Sequence, residues 1–115
     1  TWLLPRLICR QRALELMLLN EPLTPERAQE IGLVRQVVDD AKLMEEAMAL
    51  ARRLAEGPTR ALVATRALIE ESEHTTYEAQ FRREIELQAT IRRSADAVEG
   101  RNAFVEKRKA KFTGR

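Results

Sequence analysis

Gly57-Pro58 interrupts the most strongly apolar part of this chain, and no helix runs through that pair. Glycine readily takes the left-handed conformation that closes a helix, and proline cannot supply the amide that a continuing helix needs. On the N-terminal side, Ala41 to Glu56 carries Leu43, Ala47, Leu50 and Leu54 in one row and Met44, Met48, Ala51 and Ala55 in the next, the spacing of a helix with a wide apolar face. Asp39 and Asp40 precede it as expected caps. On the other side, Thr59 to Glu71 holds Ala61, Leu62, Val63, Ala64, Ala67, Leu68 and Ile69. So continuous an apolar surface predicts a helix buried on more than one side. The chain must therefore fold as packed helices.

The flanking sequence agrees. Arg10 to Leu19 repeats Ala13, Leu14, Met17 and Leu18 at helical spacing and stops at Asn20-Glu-Pro22. Thr24, Pro25 and Glu26 open a helix that Gly32 closes. Thr75-Thr-Tyr-Glu78 has the spacing of a capping box before a helix from Tyr77 to Arg93, whose stripe of Tyr77, Phe81, Ile85 and Ile91 also includes Glu84 and Gln88. Those polar groups predict a wet or specifically polar seam. Ser94 caps a last helix, with Asp96 and Glu99 near its positive end. Leu33 to Val38 alone is rich in β-branched residues and predicts a short extended segment, whose strand partner would have to lie outside the chain. At 44% hydrophobic but only 4% aromatic residues, the composition favours an all-α fold.

Charge narrows the partners. Residues 101–115 hold six basic residues and one acid, a local +5 in a chain of net +2, which leaves the first hundred residues at −3. The basic character is thus local, and a nucleic-acid partner is not expected. Cys9 is the only cysteine, which excludes an intrachain disulfide and fits the cytoplasm. The opening Thr1 to Arg10 is too short, and too often broken by Pro and Arg, for a signal or membrane segment. Its Trp-Leu-Leu cluster reads as the continuation of something upstream.

No residue set offers catalysis or metal binding. His74, the only histidine, has no nucleophile or ligand set beside it and reads as a solvated loop residue. Cys9 lies near Arg6, Arg10 and Arg12, but Leu7-Ile8 favours a buried, inert thiol. Adjacent acids such as Glu45-Glu46 and Glu70-Glu71 point in different directions on their helices.

The order of motifs adds what single residues do not. Leu4-Pro-Arg-Leu-Ile, Arg12-Ala-Leu-Glu-Leu-Met-Leu, Ala28-x-x-x-Gly32-Leu-Val with Val37-Val38, and Asp96-x-x-Glu99-Gly-x-x-Ala103-Phe-x-Glu-Lys-Arg with Phe112-x-Gly114 follow one another along the whole chain. The set resembles the C-terminal part of the enoyl-CoA hydratase/isomerase family, the crotonases. The opening leans to the ring-epoxide isomerase branch of phenylacetate breakdown, and Arg66 stands where the family often has lysine.

The resemblance implies an all-α, C-terminal helical trimerisation portion of a crotonase-like α/β fold, with the ββα spiral outside this chain. Residues 1–57 would end the core, and residues 58–115 would form a helical oligomerisation segment joining a homo-trimer or hexamer. The parent reaction would be hydration or double-bond isomerisation of an enoyl-CoA thioester. Such chemistry needs amides aimed at the enolate oxygen and a carboxylate that moves the proton. The family's counterparts lie upstream, so this chain alone is expected to be inactive and to hold no catalytic residue.

Coenzyme A enters as part of an acyl-CoA substrate, with no covalently bound cofactor. Phe104 and Lys107 match the family's contacts to coenzyme A, the ring near adenine or pantetheine and the ammonium on a phosphate. A core anchor is the favoured reading of Phe104, whereas Lys107 is equally well read as a solvated cation at a helix C-terminus. Trp2 and Leu3 match positions bordering the acyl pocket, with core packing again the safer reading. A helical protein-interaction module is the alternative, suggested by the wide apolar faces between Ala41 and Glu71. A nucleic-acid binder using the basic tail is a third.

Overall fold

A computed structural model describes residues 1–115. It contains seven α-helices and no strand: α1 Leu4–Ile8, α2 Arg10–Leu19, α3 Pro25–Glu30, α4 Leu43–Ala55, α5 Thr59–Ser72, α6 Tyr77–Ile91 and α7 Ala95–Val105, with a 3-10 turn at Asp40–Lys42. The chain divides into two units, Thr1–Met44 and Glu45–Arg115. Gly57-Pro58 lies inside the second unit.

The first unit closes on Ile8, Ala13 and Ile31, each no more than 5% exposed, with Leu4, Leu16, Leu23 and Leu33 packed around them. On α2 the inward face is thus Ala13 and Leu16. The expected stripe fails beyond Ala13, because Leu14, Met17 and Leu18 stand 48–75% exposed. Between α1 and α2 the backbone bends at Cys9, whose φ of 69° and ψ of 159° lie in a region that a side chain disfavours. The bend turns Ile8 inward and leaves Cys9 exposed, contrary to the expected buried thiol.

α3 begins and ends as its sequence dictates. The Thr24 hydroxyl accepts the Arg27 amide at 3.2 Å. At the other end the Gly32 amide reaches the Gln29 carbonyl and the Leu33 amide the Ala28 carbonyl, at 3.0 and 2.8 Å. This paired arrangement requires the left-handed φ of 81° that Gly32 adopts. The following segment is bent at residues 33–35, and residues 33–38 form no strand. With no neighbouring strand to meet its amides, the Val37 N–H donates to Gln29 Oε1 at 3.1 Å. Asp39 offers no side-chain cap to the next turn; its carboxylate lies 3.6 Å from the Lys42 ammonium instead.

In the second unit, a Cβ at Gly57 would come within 3.0 Å of Leu62 Cδ1 and 3.1 Å of the Leu54 carbonyl, so the turn from α4 to α5 needs glycine. α5 and α6 form a helical hairpin. Gln80 donates its side-chain amide to the Leu68 carbonyl at 2.8 Å, and Arg83 reaches Glu71 at 3.4 Å, while Glu70 pairs with Arg66 on its own helix. The two adjacent acids do point apart. Thr76, not Thr75, caps α6: its hydroxyl accepts the Ala79 amide at 3.3 Å. Ser94 caps α7 through the Ala97 amide at 3.1 Å.

Packing within the chain covers little of α4, α5 and α6, none of which has a buried residue. Met44, Val63 and Ile69 are 69%, 63% and 64% exposed, so the wide apolar faces expected of α4 and α5 find little cover within this chain.

Candidate functional site

A groove of about 660 Å³ follows the seam between α5 and α6 and is lined by residues such as Leu68, Phe81, Ile85 and Ile91, with Glu84 and Gln88 at the same seam. Glu84 and Gln88 are the polar groups that the sequence placed on this stripe, but the groove holds none of the candidate ligand-binding residues Trp2, Leu3, Phe104 and Lys107. The chemistry of the second unit gathers instead on α7 and the tail behind it.

α7 carries two acids one turn apart, and both point at that tail. Asp96, only 3% exposed, accepts the Thr113 amide at 2.7 Å through one oxygen and the Gly114 amide at 2.8 Å through the other. Glu99 accepts the Lys111 amide at 2.8 Å and binds Arg108 through both carboxylate oxygens, at 2.6 and 2.9 Å. Arg108 also pairs with Glu106. The Phe112 ring packs on α7 beside Gly100, where an added Cβ would lie in ordinary contact at 3.5 Å. The tail is therefore folded back along its own helix. The bond to Arg108, aided by the Lys111 amide, holds the Glu99 carboxyl down at about 2 and raises the Arg108 guanidinium above its usual range.

The helix ends before the basic run from Lys107 to Lys111 begins. α7 stops at Val105, and no basic residue stands in its last turn. Lys107 follows in the left-handed conformation, φ 54°, with its amide on the Phe104 carbonyl at 3.3 Å and the Arg108 amide on the Ala103 carbonyl at 3.0 Å. This is the same closing arrangement that Gly32 makes, here built with a lysine. Arg108 is tied to Glu99 and Glu106, and Lys109 lies 3.1 Å from Glu56. The Lys107 ammonium joins none of these pairs.

Phe104 lies on the last turn of α7 and is 85% exposed, so it is no core anchor within this chain. The buried residue of that turn is Ala103, at 2%. Phe104 and Lys107 thus belong to one short stretch of surface. Trp2 and Leu3 belong to the other unit, 55% and 59% exposed rather than packed in its core, and the Arg6 guanidinium stands 4.0 Å over the Trp2 ring. The family resemblance singled out Phe104 and Lys107, through the Ala-Phe-x-Glu-Lys-Arg motif. It did not disclose the Glu99–Arg108 bond or the left-handed turn, although the three-residue spacing of Asp96 and Glu99 does place both acids on one side of α7.

Comparison with known proteins gives these features a setting. The enoyl-CoA hydratase/isomerase family model matches residues 1–115. Over the same 115 residues the chain is 44% identical to 1,2-epoxyphenylacetyl-CoA isomerase of Escherichia coli, covering all of this chain and 44% of that protein. It is 30% identical to 2,3-dehydroadipyl-CoA hydratase of the same organism, covering 96% of this chain and 43% of the relative. Among solved structures, an enoyl-CoA hydratase of Mycobacterium marinum superposes with a TM-score of 0.86 at 33% identity, over 97% of this chain and 44% of that one.

The chain belongs to the enoyl-CoA hydratase/isomerase family. It spans less than half the length of these relatives and corresponds to the C-terminal helical portion of the crotonase fold.

Proposed function

We propose that this chain holds coenzyme A and joins subunits in an acyl-CoA hydratase or isomerase. The observation that carries the reading is Lys107, a cation fixed on a closed turn and outside the ion pairs that occupy Arg108 and Lys109. Lysine presents a compact, mobile charge suited to a phosphate. Phe104 offers an exposed ring, three residues earlier, to the adenine or pantetheine of the same ligand. In this reading Trp2 and Leu3 border the acyl group, and coenzyme A comes as part of the substrate rather than as a resident cofactor.

The reaction would be hydration or double-bond isomerisation of an enoyl-CoA thioester. The 44% identity to 1,2-epoxyphenylacetyl-CoA isomerase supports the phenylacetate branch. Enolate stabilisation and proton transfer need aimed amides and a carboxylate, and no residue of this chain is assigned either role. The chain alone is therefore proposed to bind without turnover. Residues 58–115 would supply the assembly segment of a homo-trimer or hexamer, and residues 1–57 the end of the core. No helix here is long and apolar enough to cross a membrane, and a cytoplasmic enzyme is the proposed setting.

Isothermal titration with coenzyme A and with pantetheine, which lacks the nucleotide phosphates, tests the reading. Lys107→Ala should weaken coenzyme A several-fold and leave pantetheine unchanged. Equal affinity of wild type and variant for coenzyme A sinks it. A second reading, a helical protein-interaction module, draws on the open faces of α4 and α5. Tight binding of an unrelated protein with no affinity for coenzyme A favours that one.

A further inference from the structure

Lys107 occupies a conformation that a residue with a Cβ disfavours, so its neighbours must hold it there. Glycine would take this position without strain, as Gly32 does at the end of α3, but would bring no charge. The two closing hydrogen bonds define the turn, yet the same bonds are available to any helix end that frays. What distinguishes this one is the fastening of the residues that follow it. Arg108 is gripped by both oxygens of Glu99 and by Glu106, and the Lys111 amide lies on the same Glu99 oxygen as Arg108 Nη1. One carboxylate on α7 therefore ties down residues 108 and 111 together. The guanidinium fork fixes direction as well as distance, which a single ammonium contact would not. The fastening also neutralises Arg108, leaving Lys107 as the cation of the turn with no carboxylate partner.

We infer that Glu99 is a positioning residue: its two-oxygen grip on Arg108, with the Lys111 amide, holds Lys107 in the left-handed conformation and sets the direction in which its ammonium leaves the helix. The inference rests on the reading of Lys107 as the cation that meets a coenzyme A phosphate. Glu99 touches no ligand in this account and acts through the turn alone.

The test pairs a local readout with a binding readout on the full chain. The Cα chemical shift and amide–Hα coupling of Lys107, measured by NMR, report its backbone conformation with no ligand present. Glu99→Gln should move both away from left-handed values. Arg108→Lys should do the same while keeping the charge, and serves where the first variant is poorly folded. Each variant should weaken coenzyme A about fivefold, the scale of one exposed charge pair, with pantetheine unaffected. Neither should weaken it further in a Lys107→Ala background.

Unchanged Lys107 signals in both variants overturn the inference whatever the affinity does. So does an affinity loss that simply adds to that of Lys107→Ala. If Lys107→Ala binds coenzyme A like wild type, the phosphate reading fails by itself, and the NMR result still decides whether Glu99 holds the turn.

Discussion

Glu99 holds Arg108 by two parallel hydrogen bonds of 2.6 and 2.9 Å, and these close the end of α7 onto the tail. The carboxyl has its pKa lowered from 4.5 to about 2, chiefly by that bond and next by the Lys111 amide. A carboxyl whose folded pKa is depressed adds stability that is present above its unfolded value and is lost as pH falls towards its folded one. The melting-temperature difference between wild type and Glu99→Gln should therefore be constant above about pH 5, shrink below 4.5 and nearly vanish at about 2. Circular dichroism melts across that range check it, and a difference that stays constant through pH 3 contradicts the assignment.

Asp96 offers a second test at the other end of the fold-back. Both its oxygens accept tail amides, and it is nearly buried. Asp96→Asn puts an amide donor where an acceptor is needed and should cost about 1–3 kcal/mol. Hydrogen exchange at Thr113 and Gly114 should accelerate well before exchange in α5 does. Uniform acceleration across the second unit would mean that the contact is not local.

Cys9 sits at φ 69° and ψ 159°, exposed and without a role in the core. Cys9→Gly removes the steric conflict between a Cβ and that backbone, at some gain in unfolded-state entropy. The expected net effect is a stabilisation of about 1 kcal/mol, read by urea denaturation. A destabilised variant would show that the bend is held without strain.

The two threonines before α6 can be told apart. Thr76→Ala removes the cap on the Ala79 amide and should cost about 1 kcal/mol. Thr75→Ala removes no cap and should be nearly neutral. Equal losses in thermal melts would restore Thr75 as a partner in capping.

The open faces of α4 and α5 predict self-association of the chain. Val63→Lys and Ile69→Lys replace residues that are 63% and 64% exposed and should lower the apparent mass in light scattering without loss of helicity. A wild-type chain that remains monomeric at high concentration defeats this expectation.

Helix placement was largely legible because it depends on neighbours in sequence. Thr24 and Gly32 bracket α3 as their chemistry requires, Gly57-Pro58 separates α4 from α5, and Ser94 starts α7. The errors arose where a contact partner decides. Leu33–Val38 has strand-forming residues but no adjacent strand, so its Val37 amide turned to Gln29. Leu14 and Met17 have helical spacing, yet the inward side of α2 is the one that meets Ile8 and Ile31. Phe104 has the apolarity of a core residue, but Ala103 faces inward and the ring faces out.

The sequence by itself determined that the chain is helical, where most helices begin and stop, and which family its motifs follow. Caps, breakers and apolar period act within a few residues, and such short-range physics can be read along a line. Tertiary structure alone decided that Asp96 and Glu99, which the sequence reads as acids serving a helix dipole, instead bind tail residues nine to eighteen positions later. It also decided that Lys107 would close a turn in a glycine-like conformation while Arg108 is neutralised beside it. Those outcomes depend on the chain folding back on itself, and hydrogen bonds across that return have no signature in the order of residues.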